Sequence, residues 1–403
     1  MIARSIHAAS VYVTCGVLCG CGGGSESANE ESEAEVTVVE EEVLVPETNW
    51  LLFRGDSAMQ GVSEEVLQLP LELAWSFETE RAIVATAVID EGRVYFGSTN
   101  GVFYCLDLES GDELWSENLD YAIEGTAAIA GGKVFVGGQD GIVRGFDCVS
   151  GEPAWEGYET DGKITGGINV WEDPNEPGRE LLLVGSHDYF LYALDAATGE
   201  FVWDYETENF VNGTPTIGNG NAIIGGCDNY LRLISMATGD QIAEADIAAY
   251  IANTLAVRDG IAYLAHYGGL VEAYDLETLE NVWQFEVPRV EFQASPAVTA
   301  THVYVAGRDK VVRCLDRVHG EQVWEFSARR GIDSSPLACP NAVYVGSGDA
   351  RLYALHPETG DELWSNELGS GISASPAVGE GFLVIGGEDG VLYGFRSGQG
   401  GAE

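Results

Sequence analysis

The chain has 403 residues, 45% of them hydrophobic, with 52 Gly and a formal net charge of −46 from 65 acidic and 19 basic side chains. This is enough apolar material for a large buried core. The charge argues against a nucleic-acid partner, which needs a basic footprint, and only Lys133, Lys163 and Lys310 are lysines. That bias fits a self-repelling, salt-adapted surface and names no ligand by itself.

At the N-terminus, Arg4 supplies a basic start, and residues 8–18 form an apolar stretch too short to span a bilayer. Leu18-Cys19-Gly20-Cys21 ends it with small residues before a Cys. This ending resembles the bacterial lipoprotein box, although Cys19 stands where that box usually has Ala, Ser or Thr. The resemblance implies that residues 1–20 are a signal peptide and that Cys21 is lipidated. With no acidic residue directly after Cys21, it also implies an outer-membrane lipoprotein facing the periplasm. Residues 21–48 hold nine Glu and no basic residue, a composition that cannot fold alone and reads as a disordered tether. No other segment is long and apolar enough to span a membrane, so the lipid is the expected membrane contact.

Residues 49–396 read as one domain of eight repeats, with 397–403 as a flexible tail. The clearest copy runs from Ser335 to Trp364. Its short β runs Ser335-Pro336-Leu337-Ala338, Ala342-Val343-Tyr344-Val345-Gly346, Arg351-Leu352-Tyr353-Ala354-Leu355 and Glu362-Leu363-Trp364 are separated by turn residues. The Trp recurs at Trp75, Trp115, Trp155, Trp203, Trp283, Trp324 and Trp364, with Ala243 in the eighth place. The steps between them are 40, 40, 48, 40, 40, 41 and 40 residues. The period predicts an all-β, eight-bladed β-propeller of four-stranded antiparallel blades.

The last copy lacks a Trp strand, and the stretch from Leu73 to Phe77 is predicted to supply it from the other end of the chain. Leu73-Ala74-Trp75 is expected to pair with Val391-Leu392-Tyr393. Two copies depart from the pattern. The fourth has Ala243 for Trp, which predicts the loosest junction in the ring, and the fifth has Leu279 where a turn Gly is usual. The third carries an insertion from Trp171 to Gly178, with Trp171 expected to lie as a lid on the local surface. Cys105, Cys148, Cys227, Cys314 and Cys339 are scattered and read as buried thiols rather than a disulfide framework.

The turn Asp195-Ala196-Ala197-Thr198-Gly199-Glu200-Phe201-Val202-Trp203, repeated around Trp115, Trp155, Trp324 and Trp364, resembles the docking motif of the pyrroloquinoline-quinone-type propeller repeat family. Asp and Thr can bond to local backbone, Gly supplies a positive φ, and the Trp fills the space between blades. Aligning the innermost strands places an apolar ring at Ile83, Ile123, Ile164, Val211, Ile251, Phe292, Ile332 and Ile372. One residue later comes a more polar set, Val84, Glu124, Thr165, Asn212, Ala252, Gln293, Asp333 and Ser373, predicted to line the channel. The third copy's register is open by one at Gly166-Gly167.

Two readings follow. One resembles the quinoprotein dehydrogenases, which implies pyrroloquinoline quinone and Ca²⁺ in the channel with Glu124 and Asp333 as candidate carboxylates. No two Cys are adjacent here, unlike the family's cofactor-closing pair. The preferred reading resembles the BamB-like lipoproteins of outer-membrane β-barrel assembly and implies a monomeric, non-catalytic scaffold with no cofactor, metal site or catalytic residues. Its expected partner is an envelope protein or peptide, bound on the face bearing Arg81, Tyr121, Lys163, Phe210, Tyr250, Phe292, Arg329 and Arg330.

Overall fold

The computed structural model describes residues 49–398. Cys21, with the stretches expected to be a signal peptide and a tether, lies outside them. Among the described residues, no helix is long and apolar enough to cross a membrane.

Among the described residues, thirty-two strands form eight four-stranded antiparallel sheets. Blades 1 to 7 occupy residues 88–118, 128–159, 169–206, 216–246, 256–286, 297–327 and 337–367 in chain order. The eighth combines residues 377–396 with the strand Glu72–Glu78, so both ends of the domain close one sheet. This leaves no terminal blade with a missing outer strand.

The strand that closes the ring is the expected one, but its register differs. Leu73 opposes Phe395 and Trp75 opposes Gly394, while Ser76, Phe77 and Glu78 oppose Tyr393, Leu392 and Val391. A bulge at Ala74 shifts the pairing. The same bulge precedes the Trp in most other blades, and it sets each Trp opposite a small residue: Cys105, Ala193, Ala273, Cys314, Ala354 or Gly394. Extra strand length thus aims the bulky ring at the one cross-strand position with room for it.

Each Trp then docks on the next blade. A Cβ at Gly111 would lie 2.7 Å from the Trp75 ring, and Gly151, Gly199, Gly239, Gly320 and Gly360 meet Trp115, Trp155, Trp203, Trp283 and Trp324 in the same way. The indole N–H donates across the gap, from Trp75 to the Leu108 carbonyl at 2.7 Å and from Trp203 to that of Met236 at 2.9 Å. The apolar ring is the second inter-blade lock. Ile83, Ile123, Ile164, Ile251, Phe292 and Ile332 are fully buried, and a Cβ at Gly97 would fall 2.0 Å from Ile123. Glycine at the end of the second strand is what lets the next blade approach.

Blade 2 is the irregular one. Its outer strand is cut to Tyr158–Glu159, and Trp155 lies outside it, stacked on Phe135 at 6.1 Å. Pro153, which pairs with Phe146 only as an isolated bridge, has no N–H to donate to a ladder. In blade 3 the insertion forms the turn between Asn169–Glu172 and Glu180–Gly185, and Trp171 packs on the core cluster shared with blade 4.

Candidate binding face and channel

Residues 50–62 wind across one end of the ring and bond in turn to the ends of the inner strands of blades 1 to 7. Trp50 and Ile89 exchange N–H···O bonds of 2.9 Å, and Ile129 donates to the Leu51 carbonyl at 2.9 Å. Asn169 Nδ2 and the Ile217 N–H both reach the Ser57 carbonyl. Val257, Val298 and Ala338 donate to the carbonyls of Ala58, Gln60 and Gly61. Adjacent sequence does not reveal this placement, because the partners lie as far apart as Ile89 and Ala338. Buried Trp50, Arg54, Met59 and Leu67 anchor it. The Arg54 guanidinium lies against Gly61, where a Cβ would come within 1.9 Å of Nη2, and donates to the Pro296 carbonyl at 3.0 Å. Burial lowers its pKa to about 9, against the pull of Asp56, and burial raises Asp56 in turn.

The strap makes the channel a cup of about 170 Å³ with Phe53 in its lining. Glu124, Thr165, Asn212, Gln293, Asp333 and Ser373 all line it and are half-buried. Deeper in the cup runs a belt of hydroxyls that ties the blades together. The N–H of Thr86 donates to Thr126 Oγ1 at 3.2 Å, Gly167 to Thr214, Thr214 to Thr254, Thr254 to Ser295, Ser295 to Ser335, and Ser335 to Ser375. Gly167 therefore holds the belt position in the third copy, which settles its register.

At the mouth, two sets of loops meet. Backbone N–H groups of Thr99, Gln139, His187, Cys227, Tyr267, Arg308, Gly348 and Glu388, from the turns between second and third strands, donate to the carbonyls of Ala82, Ala122, Lys163, Phe210, Tyr250, Glu291, Gly331 and Gly371. Sequence reasoning missed this first set. Its signal was the residue two places after the Gly or Ala that closes the second strand, with Gly346 taking that place one residue before the strand end in blade 7.

Arg81, Lys163, Arg329 and Arg330 are exposed on this face, as are Tyr121, Phe210 and Tyr250 at 55%, 38% and 55%. Phe292 is not. It is fully buried in the apolar ring, and the residue equivalent to Phe210 and Tyr250 in its blade is Glu291. A one-residue slip along a strand turns a side chain to the opposite side. The exposed aromatics concentrate over blades 3 to 5. Phe210 stacks on His187 at 4.5 Å and lies 5.4 Å from Tyr189. Tyr189 holds a φ of 82° at a turn position filled by Gly101, Gly141, Gly269 and Gly390 in four blades and by Asn229, Lys310 and Ala350, also at positive φ, in three others, a strain of about 1–2 kcal/mol for a residue with a Cβ. His187 Nε2 and Thr165 Oγ1 are 3.0 Å apart. Beside this arc, Arg308 grips Asp333 at 2.8 and 3.1 Å and reaches Glu291 at 3.4 Å.

Asp333 is thus spoken for by a guanidinium rather than poised as a base. No Lys or Arg lines the cup, and among the described residues no group of three or more His, Cys, Asp or Glu is placed to hold a metal ion. A tricarboxylate quinone with Ca²⁺ needs both cationic and metal-ligating groups, so this lining does not fit it. Cys105, Cys148, Cys314 and Cys339 are buried free thiols and Cys227 a half-buried one. Burial pushes Cys148 up to about 11 and Cys105 up to about 12, which makes both poor nucleophiles.

No curated protein matches this sequence. Among solved structures, BamB from Moraxella catarrhalis is similar at 19% identity and a TM-score of 0.69, covering 81% of this chain and 99% of that one. Quinohemoprotein alcohol dehydrogenase from Comamonas testosteroni is similar at 16% and 0.73, covering 87% and 81%. A europium-containing methanol dehydrogenase is similar at 16% and 0.74, covering 87% and 98%. At such identities these structures share the fold, and the fold serves both kinds of protein. The family described as outer membrane protein assembly factor BamB matches residues 72–176, 172–242, 227–338 and 308–402, and the chain belongs to this PQQ-like propeller family.

Proposed function

We propose that this protein is a non-catalytic interaction scaffold of the bacterial cell envelope, held at the outer membrane by lipid on Cys21 and facing the periplasm. The observation that carries the reading is the aromatic arc of Tyr189, Phe210 and Tyr250 at the channel mouth, flanked by Arg308, Arg329 and Arg330. Exposed aromatics and Arg concentrate in binding hot spots. A protein or peptide of the envelope is the partner such a surface suits. The quinoprotein alternative has the fold in its favour but not the chemistry of the cup.

A photo-crosslinking residue in place of Tyr250 is expected to capture one defined envelope protein in living cells. The same probe at Val318, exposed on an outer turn, is expected to capture none. Equal, diffuse labelling from both positions would contradict a partner site on the mouth face.

A further inference from the structure

The hydroxyl belt holds a chemical resource that inter-blade bonding leaves unused. Thr126, Thr214, Thr254, Ser295, Ser335 and Ser375 are all more than nine-tenths buried and all line the cup. Each accepts a backbone N–H, and among the described residues none donates its own O–H to a protein acceptor. A hydroxyl has one proton to give beyond the lone pairs it uses, so the belt presents O–H donors to the lumen.

Acceptors stand above the belt. Gln293 Oε1 is buried without a partner, Asn212 also lines the cup, and Glu124 has no ion pair among the described residues, whereas the charge of Asp333 is matched by Arg308. Phe53 adds an aromatic ring to the lining. An anion would meet carboxylates and no cation there, and a metal or ammonium would leave the O–H belt unsatisfied. A ring-sized molecule whose hydroxyls both give and accept, with a C–H face for Phe53, uses every group.

We propose that the cup binds a neutral polyhydroxylated ligand the size of one pyranose, taken either as a free sugar or as the terminal unit of a glycan whose following units rest on Phe210 and His187. This site is separate from the protein-partner reading and does not depend on it.

Saturation-transfer NMR on the purified full domain tests it, with D-glucose, N-acetyl-D-glucosamine and the β-1,4-linked N-acetylglucosamine trimer as probes. At least one monosaccharide is expected to bind saturably, at least tenfold more weakly to the Glu124→Leu/Gln293→Leu double variant, which spares the belt. Ser373→Phe, which fills the mouth, is expected to abolish binding, with melting curves verifying that both variants fold. Tighter binding of the trimer than of either monosaccharide would assign the glycan source, and equal binding the free sugar. No saturable transfer from any probe would mean a cup holding only water and would overturn the proposal. Undiminished binding by the double variant would overturn it too, by placing the sugar elsewhere. Tyr250→Ala/Arg330→Ala, which disables the proposed partner face outside the cup, is expected to leave binding of all three probes unchanged, so the two readings fail separately.

Discussion

Leu233 stands opposite Ala243 across the fourth blade, where the other Trp-bearing pairs set the indole against Ala, Cys or Gly. The inversion extends to the next blade. Leu279 takes the docking turn at φ 56°, a position that is Gly wherever a Trp lies above it, and packs on the cluster containing Leu233. What the sequence presented as two separate irregularities, and as the loosest junction in the ring, is one exchange: a Trp removed and two Leu supplied.

This exchange predicts strong coupling. Ala243→Trp alone should cost about 1–3 kcal/mol by overpacking against the two Leu. Leu279→Gly alone should open a cavity while relieving the left-handed strain. The double variant should recover stability relative to the sum of the singles by roughly 0.5–3 kcal/mol, the range for residues in contact. Denaturant unfolding of the four proteins measures this, and simple additivity would rule the exchange out.

The closing strand should matter to the whole ring. Trp75→Ala is expected to cost about 3–5 kcal/mol, and deletion of 71–77 to lower the melting temperature of the entire domain. Deleting 22–47 should leave it unchanged. Calorimetry distinguishes the cases, and equal melting of the two deletions would refute closure by Glu72–Glu78.

Buried Arg54 and half-buried Asp56 attract one another through space in the strap without a direct ion pair, and each should be costly to remove alone. Arg54→Met or Asp56→Asn removes the opposite charge nearest the other group, a loss of about 1–3 kcal/mol, whereas the double change should cost less than the sum of the singles. The raised Asp56 carboxyl holds its proton more tightly folded than unfolded. Native stability should therefore fall as pH rises from below its ordinary value through the raised one, a step the double variant lacks. Melting from about pH 3 to 7 checks both points.

Eight blades, the docking Trp and the apolar ring were legible because each repeats a local pattern. Phe292 misled because a ring position and a surface position differ by one residue, and in that blade an aromatic fills the ring while Glu291 takes the surface. The bulge at Ala74 was invisible because it depends on which residue lies across the sheet. The strap and the second ring of mouth residues, His187, Tyr267 and Arg308 among them, were missed for the same reason: their neighbours are fixed by ring closure, not by adjacent sequence.

The proposed lipidation falls on Cys21, outside the described residues. Cys21→Ser should move the protein from the membrane fraction to the soluble periplasm without changing its melting temperature. A variant that stays with the membrane would show another means of attachment.

The central claim is that the propeller binds a partner and performs no redox chemistry, and titration of the purified protein with pyrroloquinoline quinone and Ca²⁺, followed by dye-linked assay with alcohols and sugars, tests it most directly. The cup offers no cationic side chain and a single carboxylate without an ion pair among the described residues, so no stoichiometric quinone binding and no dye reduction are predicted. One quinone bound per chain with substrate-dependent turnover would contradict the account.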